Sequence, residues 1–275
     1  MEHRIAHLTR RAVVEVSGPD RESFLEGLLT QSVEGLAPGS LRFAALLTAQ
    51  GKLLFDLFLS ATADAIRLET AAPRRSVLIQ RLLMYRLRAR VEIAAVEDQV
   101  FAAWGPDSPP DVGWAPDPRL TALGWRAHGM GATSNASEAD FADWVLLHGV
   151  PDPERDAEVQ KTWPIEADFD LLNGIDFHKG CFVGQETTSR MKRRGQVKNR
   201  TLPFRFEGPA PGTGAEILQG ELRAGVVLST GAGSLGMALV RLDRLSGPLT
   251  VEGRPVSIEP PAWFIERAGS ANPAS

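Results

Sequence analysis

The sequence predicts an α+β protein that ends in a small β-barrel, and three observations carry that prediction. Strand-like and helix-like patterns follow in the order strand, helix, strands, helix, strand through residues 1–96. A stretch crowded with Pro, Gly and Asp, WGPDSPPDVGWAPDPRL, then interrupts them. After Gly195, short apolar segments separated by Gly, Pro and Asp turns follow one another to the end, the texture of a small barrel.

The first element is the apolar, β-branched run RRAVVEV, closed by a Ser-Gly-Pro-Asp turn. RESFLEGLLTQSV then spaces Phe24, Leu25, Leu28 and Leu29 at helical intervals, with Asp20 as the expected N-cap. LRFAALLTAQGKLLFDLFLSATADAIRLET reads as three strands, the first two joined by a turn at Gln50-Gly51. In the middle strand Phe55, Leu57 and Leu59 alternate with Asp56, Phe58 and Ser60, so both of its faces are expected to be covered. The next helix is predicted from Arg74 to Tyr85, with Met84 and Tyr85 packing and ending it, and a strand from Ala89 to Val96 follows.

WGPDSPPDVGWAPDPRL is expected to be loop rather than core. The Gly-rich GMGATS that follows lacks the spacing of a dinucleotide fingerprint. FADWVLLHGVPDPERD predicts a short helix through Trp144 and Leu147 that ends near Gly149. Residues 97–160 read as an insertion or a companion lobe. VKNRTLPFRFEG, GAEILQG, ELRAGVVLSTGAG, SLGMALVRLDRL and RPVSIEPPAW are the barrel strands. The predicted division is 1–96, 97–195 and 196–275.

Of 275 residues, 43% are hydrophobic, and 34 acidic against 30 basic side chains leave a net charge of -4. That balance argues against a dedicated nucleic-acid binder. A single cysteine excludes an intrachain disulfide framework and a cysteine-only metal cage, and no stably bound metal is expected. No run approaches the ~18 apolar residues of a membrane span. The start, MEHRIAHLTRRAVVEV, lacks the apolar segment of a secretory signal, so cytoplasmic residence is expected.

DFHKGCFVGQETTSRMKRRGQVKNR, residues 176–200, holds the lone Cys181. Gly180 and Gly184 flank it and admit backbone geometry closed to bulkier residues. A helix starting near Gly184 or Gln185 would turn free amides, with Lys179, on a thiolate or a bound anion. A free cysteine is equally a small core hydrophobe, and the residues alone leave both readings open. His178 is close in sequence, which does not by itself make a Cys-His pair. Arg190, Lys192, Arg193, Arg194, Lys198 and Arg200 form a run without an intervening acid. Such a run either attracts an anionic group or an acidic protein surface, or is a solvated helix end closed by Gly195. Arg190, nearest the cysteine, is the first candidate. The run lacks the interleaved aromatics of a single-strand nucleic-acid site.

KGCFVGQE, continued by SRMKRRGQVKNR, resembles the KGC-aromatic-x-GQE signature and downstream R-G segment of the YgfZ-type folate-binding proteins. These belong with the aminomethyltransferase, or glycine-cleavage T-protein, superfamily and assist iron–sulfur enzyme maturation. VEVSGPDRESFLEGLLTQSV, ALLTAQGKLLFDLFL and RLLMYRLRARVEI are similar to other blocks of the family, and the likeness is weakest between residues 97 and 160. The resemblance implies a three-part fold, with folate-binding α+β lobes around a central cavity and a C-terminal barrel. It implies a tetrahydrofolate-binding accessory role in building or repairing iron–sulfur proteins, with assembly proteins or client enzymes as partners. Lys179, Gly180, Cys181, Gly184, Gln185 and Glu186 are the signature positions, with Cys181 the functional thiol.

Pro164-Ile165-Glu166 resembles the P-x-E motif that carries the superfamily's pterin-binding glutamate. A carboxylate suits that task, because it accepts two parallel hydrogen bonds from a ring N–H and its neighbouring amine. Glu166 also reads simply as the acid at the start of a short helix containing Phe169, Leu171 and Leu172. Gln50, Lys52, Asp168, Asn173 and Arg190 are further candidates to contact the folate. T-proteins follow an Asn-Ala motif with a catalytic Asp, whereas this chain reads Thr70-Ala71-Ala72-Pro73-Arg74-Arg75-Ser76, with no Asp. Glycine-cleavage aminomethyltransferase activity is therefore not expected. A folate-dependent transferase with a displaced acid and a noncatalytic client-binding module stand as alternatives.

Overall fold

A computed structural model describes residues 2–129, 131–193 and 197–271. Its contacts gather into two units, one reaching to Phe141 and including Leu172–Gln185, the other formed by Ala142–Leu171 and the chain from Glu186 onward. The stretch between 97 and 195 is thus divided between the two.

The first unit runs β1 (Arg4–His7), β2 (Arg11–Ser17), α1 (Arg21–Glu26), β3 (Leu41–Leu47), β4 (Leu53–Ala61), β5 (Ala65–Ala71), α2 (Arg75–Arg86), β6 (Glu92–Val96), β7 (Val100–Trp104), β8 (Ala115–Pro116) and β9 (Trp125–His128). The strands pair antiparallel in a five-stranded sheet, β3-β4-β5-β2-β6, and a four-stranded sheet, β1-β7-β9-β8. Alternation puts Val14, Val16, Phe55, Leu57, Leu59, Ile66 and Leu68 on the face that meets Leu25, Leu78 and Leu82 of α1 and α2. The intervening residues, Asp56, Phe58 and Glu69, are buried as well. Both faces of β4 are covered, as its pattern predicts.

Two expectations for α1 are corrected. The helix stops at Glu26, and Leu28 and Leu29 are buried in the turns beyond it. Thr30 draws the chain off the helical path. Its N–H donates to Ala45 O, and its hydroxyl both accepts from Ala45 N and donates to Gly174 O. Asp20 caps nothing; its carboxylate instead accepts from the backbone N–H and guanidinium of Arg90.

The second face of the five-stranded sheet is held by buried charge. Glu69 on β5 is wholly buried, and its Oε1 accepts from Arg11 Nε and Arg126 Nη1, each at 2.7 Å. Its Oε2 lies 2.7 Å from His128 Nε2, which must donate because the carboxylate is acceptor-only. Burial alone would raise this carboxyl, but Arg126, Arg11 and His128 together hold it well below the usual carboxylate range. Arg11 also pairs with Asp56 at 2.9 Å, and Arg119 grips Asp117 through two bonds of 3.0 and 2.8 Å. The Arg126 guanidinium lies 3.9 Å from the centre of the Phe58 ring. Trp114, Asp117 and Arg119 are therefore core residues, which corrects the reading of that Pro-rich stretch as loop alone.

The second unit holds most of α3 (Glu138–Leu147), α4 (Pro153–Asp156), all but the first residue of α5 (Gln185–Arg193), the strands β10 (Asn199–Phe206), β11 (Glu216–Gln219), β12 (Leu222–Thr230), β13 (Leu235–Arg241), β14 (Leu249–Val251) and β15 (Arg254–Ile258), and α6 (Ala262–Ala271). The strands close in the order β10-β13-β12-β11-β14-β15, which leaves no open edge. Five of the six coincide with predicted segments. β14, three residues long, is too short to show alternation, and α6 was likewise not anticipated.

A buried carboxyl ties α4 to the barrel. Asp156 Oδ1 and Ser229 Oγ on β12 share a 2.5 Å hydrogen bond, while Asp156 Oδ2 accepts from Asp152 N at 2.8 Å. Burial, reinforced by the Asp152 carboxylate, pushes Asp156 up to about 7.

Two outcomes are expected. Glu69→Gln leaves buried guanidiniums short of a counter-charge and should cost about 3–5 kcal/mol, read as a lower denaturant midpoint. Asp156 holds its proton in the folded chain and loses it when unfolded between its ordinary carboxylate value and about 7. Its contribution to stability is thus greatest at low pH, falls as pH rises through that window and levels off above it. Asp156→Asn, which keeps both hydrogen bonds, should flatten this slope in melting curves taken from pH 4 to 8.

Candidate functional site

The chain from Leu172 to Gln185 returns to the first unit and lies along the segment that follows α1. Gln31 Nε2 donates to Asn173 O at 2.7 Å, Asp176 N to Thr30 O at 2.9 Å and Val183 N to Gly27 O at 3.2 Å. The strongest tie is Lys179. Its ammonium donates to the carbonyls of Glu26, Leu29 and Gln31 at 2.9, 2.8 and 3.0 Å and lies 3.1 Å from Glu26 Oε1. The end of a helix leaves carbonyls without partners and carries partial negative charge, and a lysine ammonium answers both. The Lys179 side chain is 1% exposed. Burial pushes its pKa down, and the Glu26 carboxylate opposes that shift. The expected use of Lys179 beside a thiolate is thereby corrected, because its three protons are spent on main-chain oxygens and Glu26.

Cys181 is exposed, while Phe182 next to it is buried and Val183 packs on the core of the sheet. Lys179 and Phe182 point inward and hold the loop on either side of the thiol. This excludes the reading of Cys181 as a core hydrophobe. His178 is exposed, and its backbone N–H donates to Asp176 Oδ1. Among the described residues it makes no hydrogen bond to Cys181.

The two signature glycines differ. Gly184 has φ +82°, and a Cβ there would lie 2.6 Å from Thr48 O and 2.9 Å from Gly51 Cα. Gly180 has open space and no left-handed backbone, so it does not need to be glycine for geometry. Gly184 thus presses the signature against the β3-β4 turn, where Gly51 N donates to Thr48 O and Lys52 N to Thr48 Oγ1. Gln50 is exposed on that turn and Lys52 is half-buried. The structure brings these two candidates to the signature. As expected, α5 starts at Gln185, with Glu186 in its first turn and Arg190, Lys192 and Arg193 in its last. Arg194 and Gly195 lie outside the described residues.

Glu166 belongs to the second unit and is half-buried. The residues after it form consecutive turns rather than the predicted helix, because Asp168 and Asn173 adopt φ of +59° and +58°. Glu166 O accepts from both Thr201 N and Thr201 Oγ1, which fastens this segment to β10. Its Oε1 accepts from Asn199 Nδ2 at 3.0 Å and its Oε2 from Trp163 N at 3.2 Å. A carboxylate oxygen has two acceptor sites, so each keeps one more for a ligand. Asn199 was not anticipated, since it lies 33 positions away and no local pattern marks it.

Asp168 is wholly buried, 3.0 Å from Arg200 Nη1. Arg200 forks onto Asp170 through bonds of 2.6 and 3.0 Å. One guanidinium cannot neutralise two buried carboxylates, so burial pushes Asp168 well above its ordinary value despite the contact. Arg200 is accordingly a buried ion-pair residue and not part of an anion-attracting surface, which corrects its place in the basic run. Asn173 falls in the first unit, where its side-chain amide donates to Pro118 O at 2.9 Å. In the segment from Thr70 to Ser76, Arg74 lies over Phe55 at 4.2 Å and donates to Leu54 O.

The glycine contrast yields a direct check. Gly184→Ala should destabilise by about 1–3 kcal/mol through backbone strain and the clash with Thr48. Gly180→Ala should stay within about 0.5 kcal/mol of the parent in the same denaturant titration.

Residues 198–265 match the family described as CAF17, C-terminal beta-barrel domain. The chain is 29% identical to the iron–sulfur cluster assembly factor IBA57, mitochondrial, of Homo sapiens, across 94% of this chain and 84% of that one. Against the IBA57 homolog of Neurospora crassa the identity is 26%, over 96% and 76% of the two chains. Among solved structures, the glycine cleavage system aminomethyltransferase T from Bartonella henselae superposes with a TM-score of 0.76 at 17% identity, covering 96% of this chain and 87% of its own. That last likeness is one of fold. With the signature loop, the closed barrel and these relatives together, the chain is similar to the iron–sulfur cluster assembly factors of the IBA57 kind and shares the aminomethyltransferase fold.

Proposed function

We propose that this protein is a reduced-folate-binding accessory factor in the assembly or repair of iron–sulfur proteins, with Cys181 as its working thiol and Glu166 as its pterin-reading carboxylate. The observation that carries this reading is the outward Cys181 on a loop anchored on both sides by Lys179 and Phe182. A thiolate is a soft ligand for iron. One thiolate from one chain cannot enclose a cluster, so a cluster here is cargo shared with another protein's ligands. The names of the relatives, iron–sulfur cluster assembly factors, support the same role.

Glu166 suits a pterin because its carboxylate is oriented by Asn199 and Trp163 and retains acceptor capacity on both oxygens. A reduced folate held there would supply a carrier for a one-carbon unit. Gln50, Lys52 and Arg190 belong to the same proposal as contacts to the rest of the ligand or to an acidic client. So do Asp168 and Asn173, although their side chains already serve Arg200 and Pro118. Residence in the cytoplasm is part of the proposal too, distinct from the mitochondrial residence printed in the relatives' names.

One observation favours a second reading, a transferase with a displaced acid. A cleft of about 390 Å³ beside Ala72 is lined by Glu97, Asp98, His7 and Arg75. Glu97 pairs with Arg75 and Asp98 with Arg67, which leaves each carboxylate committed to a guanidinium.

Calorimetric titration with tetrahydrofolate tests the first reading. Glu166→Gln should weaken binding by about 1–3 kcal/mol, and unchanged affinity would count against the assignment. Cys181→Ser should keep folate affinity but impair cluster-containing enzymes in cells that carry only the variant. Conversion of a methylene-bearing folate, seen by product analysis, would favour the transferase.

A further inference from the structure

Helix α2 faces the core with Leu78 and Leu82. Its other side is not the polar face of an ordinary surface helix. Val77 is 47% exposed, Leu83 43%, Met84 68% and Leu87 90%. Met84, expected to pack, points outward instead. Leu87 ends the helix at φ +42°, a backbone region that favours glycine, and so holds a large apolar side chain in solvent at a cost in strain.

The charge around this strip has one sign. Residues 74–90 contain six arginines and no acid, in a chain whose net charge is -4. Three of the six are occupied within the fold: Arg74 by Leu54 O, Arg75 by Glu97 and Arg90 by Asp20. The side chains of Arg81, Arg86 and Arg88 make no hydrogen bond or ion pair among the described residues.

We infer that the outer face of α2 docks an acidic protein segment that presents apolar side chains. Met84 and Leu87 are the anchors, and Arg86 and Arg88 are the charged rim. Charge complementarity selects this occupant. A second copy meeting this face around a two-fold axis would set arginine against arginine, because such an interface is self-complementary. An anionic lipid surface would attract the rim but repel a chain of net negative charge. The strip is also short and fastened to a sheet, unlike a helix free to sink into headgroups. This inference rests on neither the folate nor the thiol assignment.

A photo-crosslinking residue at position 84 of the full-length chain, activated in living cells, identifies the neighbour, which is then purified and titrated against the intact protein. The expected adduct is to a protein with an acidic surface, bound with an affinity that falls as salt rises. Met84→Glu with Leu87→Glu should weaken it at least tenfold, and Arg86→Glu with Arg88→Glu should weaken it and remove the salt dependence. Leu87→Gly should relieve the backbone, hold or raise the melting temperature and still weaken binding, which separates docking from folding. Cys181→Ser should give the same adduct, so loss of the maturation role and loss of this surface are distinguishable. Four results would overturn the inference: adducts only to a second copy, binding to phosphatidylglycerol vesicles that Met84→Glu abolishes, no protein adduct at all, or unchanged affinity in both charge-reversed and anchor variants.

Discussion

Everything around the signature depends on where the Lys179 ammonium goes. It sits among the carbonyls of Glu26, the last residue of α1, and of Leu29 and Gln31 in the turns that follow. This joins segments about 150 positions apart in the chain. With Lys179 and Phe182 turned inward, the intervening cysteine has no room in the core and faces outward. Gly184 then brings the chain against the β3-β4 turn, where a side chain would collide. A positively charged residue next to a cysteine invites an electrostatic reading. Here the lysine acts on the thiol through position, by fixing the backbone that carries it.

The buried charges behind β4 and β5 serve a different end. Three guanidiniums, from Arg11, Arg119 and Arg126, meet three carboxylates, from Asp56, Glu69 and Asp117, with Phe58 among them. Buried ion pairs contribute little net stability compared with apolar packing of the same volume, because desolvation opposes the attraction. Their consequence is selectivity. A shift of one residue in either sheet would turn these side chains to the wrong face and strand charge in the interior. The arrangement therefore enforces one register and one pairing of the sheets.

Arg200 and Glu166 show how neighbouring residues on one segment divide their tasks. Arg200 is absorbed by Asp168 and Asp170, which anchors the turns after Pro164 to β10. Glu166 on the same turns is steadied by Asn199 yet keeps open lone pairs. The fold is shared with an aminomethyltransferase at 17% identity. A shared architecture does not by itself carry a shared chemistry, which rests on the residues of the site.

Much of this was legible in the sequence. Alternation in LLFDLFLSA announced a strand covered on both faces, the Gly and Pro punctuation after Gly195 announced the barrel, and KGCFVGQE marked the loop that carries the thiol. These signals are local, since side-chain period and turn propensity act within a few residues. The destinations of Lys179, Arg200, Asp20 and Asp117, the outward turn of Met84, and the pairing of Glu166 with Asn199 were decided only by tertiary structure. A charged or amide side chain is committed by whichever partner meets it after folding. That partner lies anywhere along the chain, so no short stretch of sequence contains the answer.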